Sequence, residues 1–318
     1  MSSSSSSNAN GTTATAPLSA SASASAAEPN PTANSSSAQL VSLLIVVLDC
    51  ATHTWAAHQH DHLALLDQLC VFLNAYLALN HDNRLAIIGA TSHTSQFLFP
   101  GIQPPAIEEH IARSNAYQQF YSMNSTLVGG VKRLMQDEVA AAAAVAVQDP
   151  TSGGQSCHLS SALSKALCYA NRHATASTDA KPSILVISAS PDSPSHYVPL
   201  MNAIFSAQKA EINLDACKLY GDSVFLQQAA HLTHGVYRCL PGPEGMIQHL
   251  LFTYLPPPEL RSSLNLPAPT KVDFRAACFC HKRMTSDAFV CSVCLAIYCQ
   301  WRPVCETCKT KFPFQQRR

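Results

Sequence analysis

The stretch "LLIVVLDCATH", residues 43–53, has six consecutive apolar side chains followed at once by the carboxylate of Asp49. A continuous rather than alternating apolar run is typical of a strand that is buried on both faces. In doubly wound parallel sheets, ligands bind outside the carboxyl ends of the strands. We therefore interpret the run as a central strand and place Asp49 at the edge of the sheet where a ligand site would lie.

Further apolar runs alternate with helical patterns between residues 40 and 255. "LAIIGA" (85–90) and "SILVISAS" (183–190) predict two more buried strands, and leucines three or four apart predict a helix over 63–77. Shorter strands are expected over 95–99, 211–219 and 235–240, and helices over 107–147, 159–170, 198–205, 224–231 and 246–255. This alternation predicts an α/β fold, in which a doubly wound, mostly parallel sheet has helices on both faces.

Composition narrows the class of protein. The 318 residues include 20 basic and 20 acidic side chains, so no overall charge favours nucleic acid or membrane. The longest apolar run, residues 40–48, has about half the length of a membrane-spanning helix. We expect a cytosolic or nuclear protein without membrane contact, in which clustered cysteines are metal ligands rather than disulfides.

Composition shifts along the chain predict four segments. Residues 1–38 are nearly all Ser, Ala, Thr, Asn and Pro, and we expect a disordered tail. Residues 39–255 form the α/β domain. Residues 256–272 contain the proline-rich "PPPELRSSLNLPAPT" and are expected to be a semi-rigid linker. Residues 273–314 hold most of the cysteines and form a small zinc-binding module.

The stretch "CFCHKRMTSDAFVCSVCLAIYCQWRPVCETC", residues 278–308, contains seven of the thirteen cysteines. Cys291 with Cys294, and Cys305 with Cys308, form two CxxC pairs, each able to bind one side of a tetrahedral ion. About 40 residues are too few to bury these thiols in an apolar core of their own. The two pairs therefore predict a structural Zn²⁺ site.

Four other side chains are candidates for a second site: Cys278, Cys280, His281 and Cys299. With the pairs they make eight ligands in interleaved order, as in a cross-brace of two ions. A competing arrangement holds one ion between Cys278, Cys280, Cys291 and Cys294, so the sequence allows one ion or two. Sites closed by four protein ligands lack the open position that catalytic zinc needs, and we expect structural zinc.

The cysteine stretch also leaves the binding role of the module open. Residues 271–318 carry nine Lys or Arg and three Asp or Glu, which allows a nucleic-acid-binding finger. The clustered thiols allow a RING-like ubiquitin ligase, although the regular ligand order is missing. A protein-docking surface is the third reading. Four side chains would either form that surface or pack around the metal: Phe289, Ile297, Tyr298 and Trp301.

An apolar first strand that ends in Asp and continues into alternating helices and strands resembles a von Willebrand factor A domain. The resemblance implies a Mg²⁺ site made by Asp-x-Ser-x-Ser with a later Thr and Asp. Here Asp49 matches the first position, Ala51 and His53 replace the two serines, and Thr126 and Asp192 match the later positions. Because Mg²⁺ requires about six oxygen ligands, we expect a degenerate site that holds no cation.

Catalytic sequence patterns are missing from the chain. The sequence has no G-x-S-x-G, no P-loop, no G-x-G-x-x-G after a strand and no H-E-x-x-H. The histidines of "HTWAAHQHDH", residues 53–62, are expected to lie in a solvated loop before the first long helix. We therefore expect a protein that is not an enzyme.

The combination of a degenerate A-like domain with the pattern "ACFCH…FVCSVCL…C…P.C.TC" resembles the 34-kDa subunit family of general transcription and DNA repair factor IIH, over about residues 40–314. The resemblance implies a non-catalytic structural and interaction subunit of the factor IIH core complex in the nucleus. It implies roles in RNA polymerase II transcription initiation and nucleotide excision repair. The implied chief partner is the larger A-like, zinc-containing subunit, with mainly indirect contact to DNA.

Overall fold

The computed structural model describes residues 42–56, 59–100, 117–146, 157–176, 181–193, 196–267, 271–281 and 283–312. The predicted tail over residues 1–38 and the first part of the helix expected over 107–147 lie outside these ranges. Gln39–Arg318 forms one compact unit, which includes the cysteine-rich stretch.

Six strands form the central sheet in the order β3-β2-β1-β4-β5-β6. Their bounds are β1 Ser42–Asp49, β2 Arg84–Ala90, β3 Ser95–Phe99, β4 Lys181–Ser188, β5 Asn213–Leu219 and β6 Tyr237–Leu240. All neighbours pair in parallel except β3, which is antiparallel to β2 at one edge. The order reverses at β1, which is the arrangement expected of a doubly wound sheet.

Helices cover both faces of this sheet. Their bounds are α1 Thr52–Trp55, α2 Gln59–Leu79, α3 Gln118–Ala146, α4 Leu159–Ala176, α5 Tyr197–Lys209, α6 Val224–Leu232 and α7 Met246–His249, which continues as a π-helix over Leu250–Tyr254. Leu44, Val46 and Leu48 of β1 pack towards α2, α3 and α7. The alternate residues of β1 pack towards α4, α5 and α6. This double burial is why β1 is apolar at every position from Leu43 to Leu48.

The first long helix differs from the sequence-based expectation at its start. His62, expected in a solvated loop, lies on α2 and is 7 % exposed, with its ring 4.8 Å from that of Trp55. Because the first turn of α2 packs on α1, this histidine is buried. The window His62–Leu79 is also long and apolar enough to cross a membrane. Its residues Leu65, Leu69 and Phe72 pack on the sheet, which accounts for that apolar character.

The segment after α7 stays against the domain and is called the strap here, residues 256–267 and 271–277. It contains a short 3₁₀ turn over Leu260–Ser263, in which Arg261 is paired with Asp215 of β5. Further on, Gln228 of α6 donates its amide to the carbonyls of Asp273 and Arg275, at 2.7 and 3.0 Å. The strap thus has side-chain anchors on both faces of the sheet, which a freely moving linker would lack.

Two small antiparallel pairs of strands lie at the start of the cysteine-rich stretch and within it. β7 Ala276–Ala277 pairs with β8 Met284–Thr285, and β9 Phe289–Val290 pairs with β10 Ile297–Tyr298. Ala277 lies in the same core cluster as α4, α5 and α6, immediately before the first cysteine of the stretch. The module therefore begins inside the core of the α/β domain.

Candidate functional site

Among the described residues, two clusters each bring four potential ligand atoms within 4.8 Å of one another. Quartet A consists of Cys278, Cys280, His281 and Cys299. Quartet B consists of Cys291, Cys294, Cys305 and Cys308. The structure thus brings together all eight residues singled out in the sequence, and divides them differently from the competing one-ion arrangement.

Quartet B is built from two backbone turns with the same hydrogen bonds. In the first turn, the amide of Leu295 donates to the carbonyl of Cys291, and the amide of Cys291 donates to the carbonyl of Ala296, both at 2.9 Å. The second turn repeats both bonds at 2.9 Å through Lys309 and Thr310. Leu295 and Lys309 both adopt the left-handed conformation, with φ of 60° and 62°. These tight turns place the two thiols of each CxxC pair on the same side.

The sulfur spacing in quartet B fits a shared ion rather than a covalent bond. Cys291 Sγ lies 3.6 Å from Cys308 Sγ, and Cys294 Sγ lies 3.5 Å from Cys305 Sγ. A Zn–S distance of about 2.3 Å in a tetrahedral site separates neighbouring sulfurs by about 3.8 Å. A disulfide would bring them to about 2.05 Å. The four thiols therefore have the spacing of a tetrahedral metal site.

Polar groups around quartet B support the charge of bound thiolates. The hydroxyl of Tyr298 lies 3.2 Å from Cys305 Sγ and accepts the amide of Glu306 at 3.0 Å. The hydroxyl of Thr310 lies 3.1 Å from Cys308 Sγ. Hydrogen bonds to ligand atoms orient them and tune the bound metal. Tyr298 is therefore a packing residue of the site, whereas Phe289 and Trp301 are exposed on the surface.

Quartet A has three ligands close together in sequence and one that returns from β10. Cys280 Sγ lies 3.5 Å and His281 Nδ1 lies 3.1 Å from Cys299 Sγ. The amide of Arg283 donates to Cys278 Sγ at 3.4 Å. This three-plus-one pattern accounts for the irregular spacing in the sequence. Since Cys299 lies between the CxxC pairs of quartet B, the two quartets are interleaved along the chain.

Both quartets can hold metal ions, and the donor chemistry favours Zn²⁺. Four thiolates, or three thiolates and an imidazole, are the usual ligand sets of tetrahedral structural zinc. With four protein ligands each, neither set leaves a position for water or substrate. Bound zinc would supply folding free energy to a module that has only a small apolar cluster of its own.

At the carboxyl edge of the sheet, hydrogen bonds from the protein itself occupy the carboxylate of Asp49. Asp49 is fully buried, and its Oδ2 accepts the amides of Ala189 and Ser190 at 3.1 and 2.7 Å and the hydroxyl of Ser188 at 3.2 Å. Its Oδ1 accepts the amide of Ala51 at 3.0 Å. Both carboxylate oxygens are thus used by the protein itself, and Asp49 ties the end of β1 to the loop after β4.

The other residues of the predicted degenerate site do not gather around Asp49 as cation ligands. The side chain of His53 is exposed, with Nδ1 3.2 Å from Ser92 Oγ. Asp192 accepts Ser223 Oγ at 2.5 Å and the amide of Phe225 at 3.2 Å, so it holds the first turn of α6. Burial raises the pKa of Asp192 despite these bonds.

Thr126 lies away from this edge. Its hydroxyl is buried and has no hydrogen-bond partner among the described residues. Glu138, twelve residues further along α3, contacts the loop beside Asp49, and at about 1.5 Å per residue Thr126 is about 18 Å from it along the axis. This position on α3 gives no support to the match between Thr126 and the later threonine of the A-domain motif.

Two charged residues that no sequence pattern indicated stand at this edge. Glu138 accepts the amides of Thr52 and Ser92 at 2.6 and 2.7 Å, one on each carboxylate oxygen. Burial acts to raise the pKa of Glu138, but the hydrogen bonds from Ser92 and Thr52 outweigh it and hold this pKa below its ordinary value. Lys218 at the end of β5 is 2 % exposed. Burial lowers the pKa of Lys218, while the charge of Asp49 opposes that shift.

Sequence comparison gives the family. The profile described as Transcription factor Tfb4 matches residues 41–309. The chain is 38 % identical over 279 residues to general transcription and DNA repair factor IIH subunit tfb4 of Schizosaccharomyces pombe, covering 85 % of this chain and 89 % of that protein. It is 39 % identical over 251 residues to general transcription factor IIH subunit 3 of Dictyostelium discoideum, covering 78 % and 67 % of the two chains.

Structure comparison agrees. The crystal structure of the TFIIH p34 N-terminal domain is similar with a TM-score of 0.55 and 27 % identity, over 67 % of this chain and 97 % of that one. This similarity, the strand order and the helices on both faces confirm the predicted von Willebrand A-like fold class. The match of the profile over most of the chain, together with these relatives, shows that the chain belongs to the Transcription factor Tfb4 family.

Proposed function

We propose that the chain is a non-catalytic structural and interaction subunit of the factor IIH core complex. In that role it acts in RNA polymerase II transcription initiation and nucleotide excision repair. Family membership supports the proposal, because the relatives bear the name of a factor IIH subunit. The non-catalytic part rests on one observation: neither candidate site has room for a substrate. Both quartets have four protein ligands, and both oxygens of Asp49 accept hydrogen bonds from the protein.

The cofactor of this proposal is Zn²⁺, with one structural ion in each quartet. The donor atoms and the sulfur spacing of 3.5 to 3.6 Å support it. The ions would fix the turns of residues 278–308, whose own apolar cluster is small. No reaction step is assigned to them.

The proposed domain organisation keeps the predicted boundaries but assigns a different role to the connecting segment. A tail over residues 1–38 precedes the A-like domain over 39–255, and the zinc module spans 273–314. The segment 256–272 is proposed as a fixed connection rather than a spacer, since Arg261 is anchored in it by a buried ion pair. The orientation of the module is then set by the A-like domain.

The proposed partners are other factor IIH core subunits, chiefly the larger A-like, zinc-containing one, and the polymerase II initiation machinery through the complex. DNA is contacted mainly indirectly, and the site of action is the nucleus. Exposed apolar side chains support a docking role for the module: Phe289, Val290, Val293, Leu295 and Trp301. The ubiquitin-ligase and nucleic-acid alternatives gain no support from the relatives, and we do not propose them.

Purification from native cells tests the proposal. The chain, tagged at its own locus, is isolated from nuclear extract at moderate salt, and the product is weighed by size-exclusion chromatography and identified by mass spectrometry. We expect stoichiometric recovery with the other factor IIH core subunits. Recovery as a free, monodisperse monomer would overturn the proposal. A parallel ubiquitin-discharge assay with a panel of charged conjugating enzymes is expected to show no stimulation.

A further inference from the structure

Three neighbouring strands place a carboxylate, a hydroxyl and an ammonium group in one row at their carboxyl ends. Leu48 of β1 pairs with Ile187 of β4, which places Asp49 beside Ser188. Ser188 in turn pairs with Lys218 of β5. Side chains in register on adjacent parallel strands point to the same face, and strands lie about 4.8 Å apart. Lys218 therefore stands two strands, or about 10 Å of backbone, from Asp49, with Ser188 between them.

The ammonium group of Lys218 is used entirely inside the protein. Its Nζ donates to the carbonyl of Ala189 at 2.8 Å and to that of Leu219 at 3.0 Å. Ala189 also donates its own amide to Asp49 Oδ2 at 3.1 Å. The peptide group between Ala189 and Ser190 thus accepts the ammonium on its oxygen and donates its N–H, that of Ser190, to Asp49 Oδ2 at 2.7 Å. This arrangement joins the two buried charges through the first residue of the loop after β4.

We infer that Lys218 is the built-in counter-cation of the carboxyl edge and takes the electrostatic place that a divalent ion would fill. A buried carboxylate needs a compensating charge or dipoles, since an isolated one is strongly unfavourable. Asp49 is fully buried, and the ammonium is permanently attached to β5. The edge of the sheet is therefore complete without any metal.

Lys218 also fixes the surface at this edge. The loop after β4 continues to Asp192, which holds Ser223 and the first turn of α6. Because Lys218 fixes the start of this loop, the loop and the beginning of α6 keep one conformation whether or not Mg²⁺ is present. A partner that docks on this edge would do so independently of divalent ions, which goes beyond the proposed subunit role.

A double-mutant cycle on the full chain tests the inference. Lys218→Met keeps the aliphatic stem and removes the charge, Asp49→Asn removes the carboxylate charge, and Lys209→Met on the exposed end of α5 is the control. Equilibrium unfolding is followed by urea titration. We expect Lys218→Met to lower the folding equilibrium constant roughly 100-fold or more, because Asp49 then stays buried without its compensating charge. The control is expected to change it by less than about threefold.

Comparing the cost of Lys218→Met in two backgrounds shows whether the two charges are coupled. In the Asp49→Asn background, Lys218→Met is expected to cost at least about tenfold less than in the wild type. If the cost is the same in both backgrounds within about twofold, the charges are not coupled and the inference is wrong.

A separate measurement covers the case in which Lys218→Met does not fold. The thermal midpoint of the wild-type chain is followed against Mg²⁺ and against NaCl of equal ionic strength. We expect no difference between the two titrations. A saturable rise with Mg²⁺ alone would show that the edge takes a divalent ion, and would overturn the inference.

Discussion

Arg261 of the strap places its two terminal guanidinium nitrogens 2.7 Å from the two carboxylate oxygens of Asp215 on β5. The side chains are only 9 % and 3 % exposed. Asp215 also accepts the amide of Val236 at 2.8 Å, and Arg261 donates through Nε to the carbonyl of Pro256 at 3.1 Å. A pair with this geometry and these additional bonds connects the strap to the sheet.

Replacing Arg261 with Met is expected to destabilise the chain by about 3–5 kcal/mol, because Asp215 is left as an uncompensated buried charge. Urea denaturation of the full chain measures the loss. Arg275→Met is the matched control, since the Arg275–Asp273 pair in the same strap is exposed and much less should be lost. Equal effects of the two substitutions would contradict the role assigned to the buried pair.

The grouping of ligands into two quartets predicts the metal content of variants. Cys280→Ser and Cys291→Ser should each lower the zinc count from two to one, because the two residues belong to different quartets. The double variant should hold none. Native mass spectrometry of protein prepared without chelators gives the counts. The competing arrangement, with one ion shared by both residues, would instead give one ion in the wild type and none in either variant.

The two single variants are also expected to differ in their effect on the A-like domain. Quartet A begins one residue after Ala277, which is buried in the core of that domain, whereas quartet B has its own cluster. Cys280→Ser should therefore expose the strap to limited proteolysis, and Cys291→Ser should leave it protected. The helical circular dichroism signal of the A-like domain should persist in both variants. Protection of the strap in Cys280→Ser would contradict this coupling.

Asp49→Ala is expected to lower stability without changing affinity for Mg²⁺. The substitution leaves the amides of Ala51, Ala189 and Ser190 without their acceptor, and each buried unsatisfied group costs about 1–3 kcal/mol. Isothermal calorimetry should find no specific Mg²⁺ binding in the wild type or in the variant. A clear binding isotherm in the wild type that disappears in Asp49→Ala would contradict the degenerate site.

Glu138 predicts a specific dependence of stability on pH. Its pKa in the folded chain is below the ordinary 4.5, so its contribution is present above that value and is lost as the pH falls through the lower folded pKa. The difference in unfolding midpoint between wild type and Glu138→Gln should be large at pH 7 and shrink below pH 4.5. The neighbouring exposed Asp137→Asn is the control. A difference that is constant with pH would exclude this role of the carboxylate.

The strands and the clusters of potential metal ligands were accessible from sequence for physical reasons. A strand buried on two faces must be apolar at successive positions, as in residues 43–48, and this signal is local. Two thiols two residues apart have few uses other than binding metal in a reducing compartment. The tertiary return of Cys299 to Cys280 decides the division into quartets, and no local pattern contains it.

The buried charged residues could not be predicted from local sequence in the same way. Asp215 and Lys218 lie in a strand with alternating polar and apolar residues, yet both are buried, because each meets a partner from a distant segment. Glu138 lies next to an alanine-rich run that shows only helix propensity. Such residues are recognised from their hydrogen bonds, which depend on how the loops meet at the edge of the sheet.

Elemental analysis of the full chain, purified without chelators and dialysed against metal-free buffer, tests the account most directly. The two quartets predict two equivalents of zinc. The carboxyl edge of the sheet, which needs no divalent ion, predicts no retained magnesium. Absence of zinc, or stoichiometric magnesium, would contradict the account.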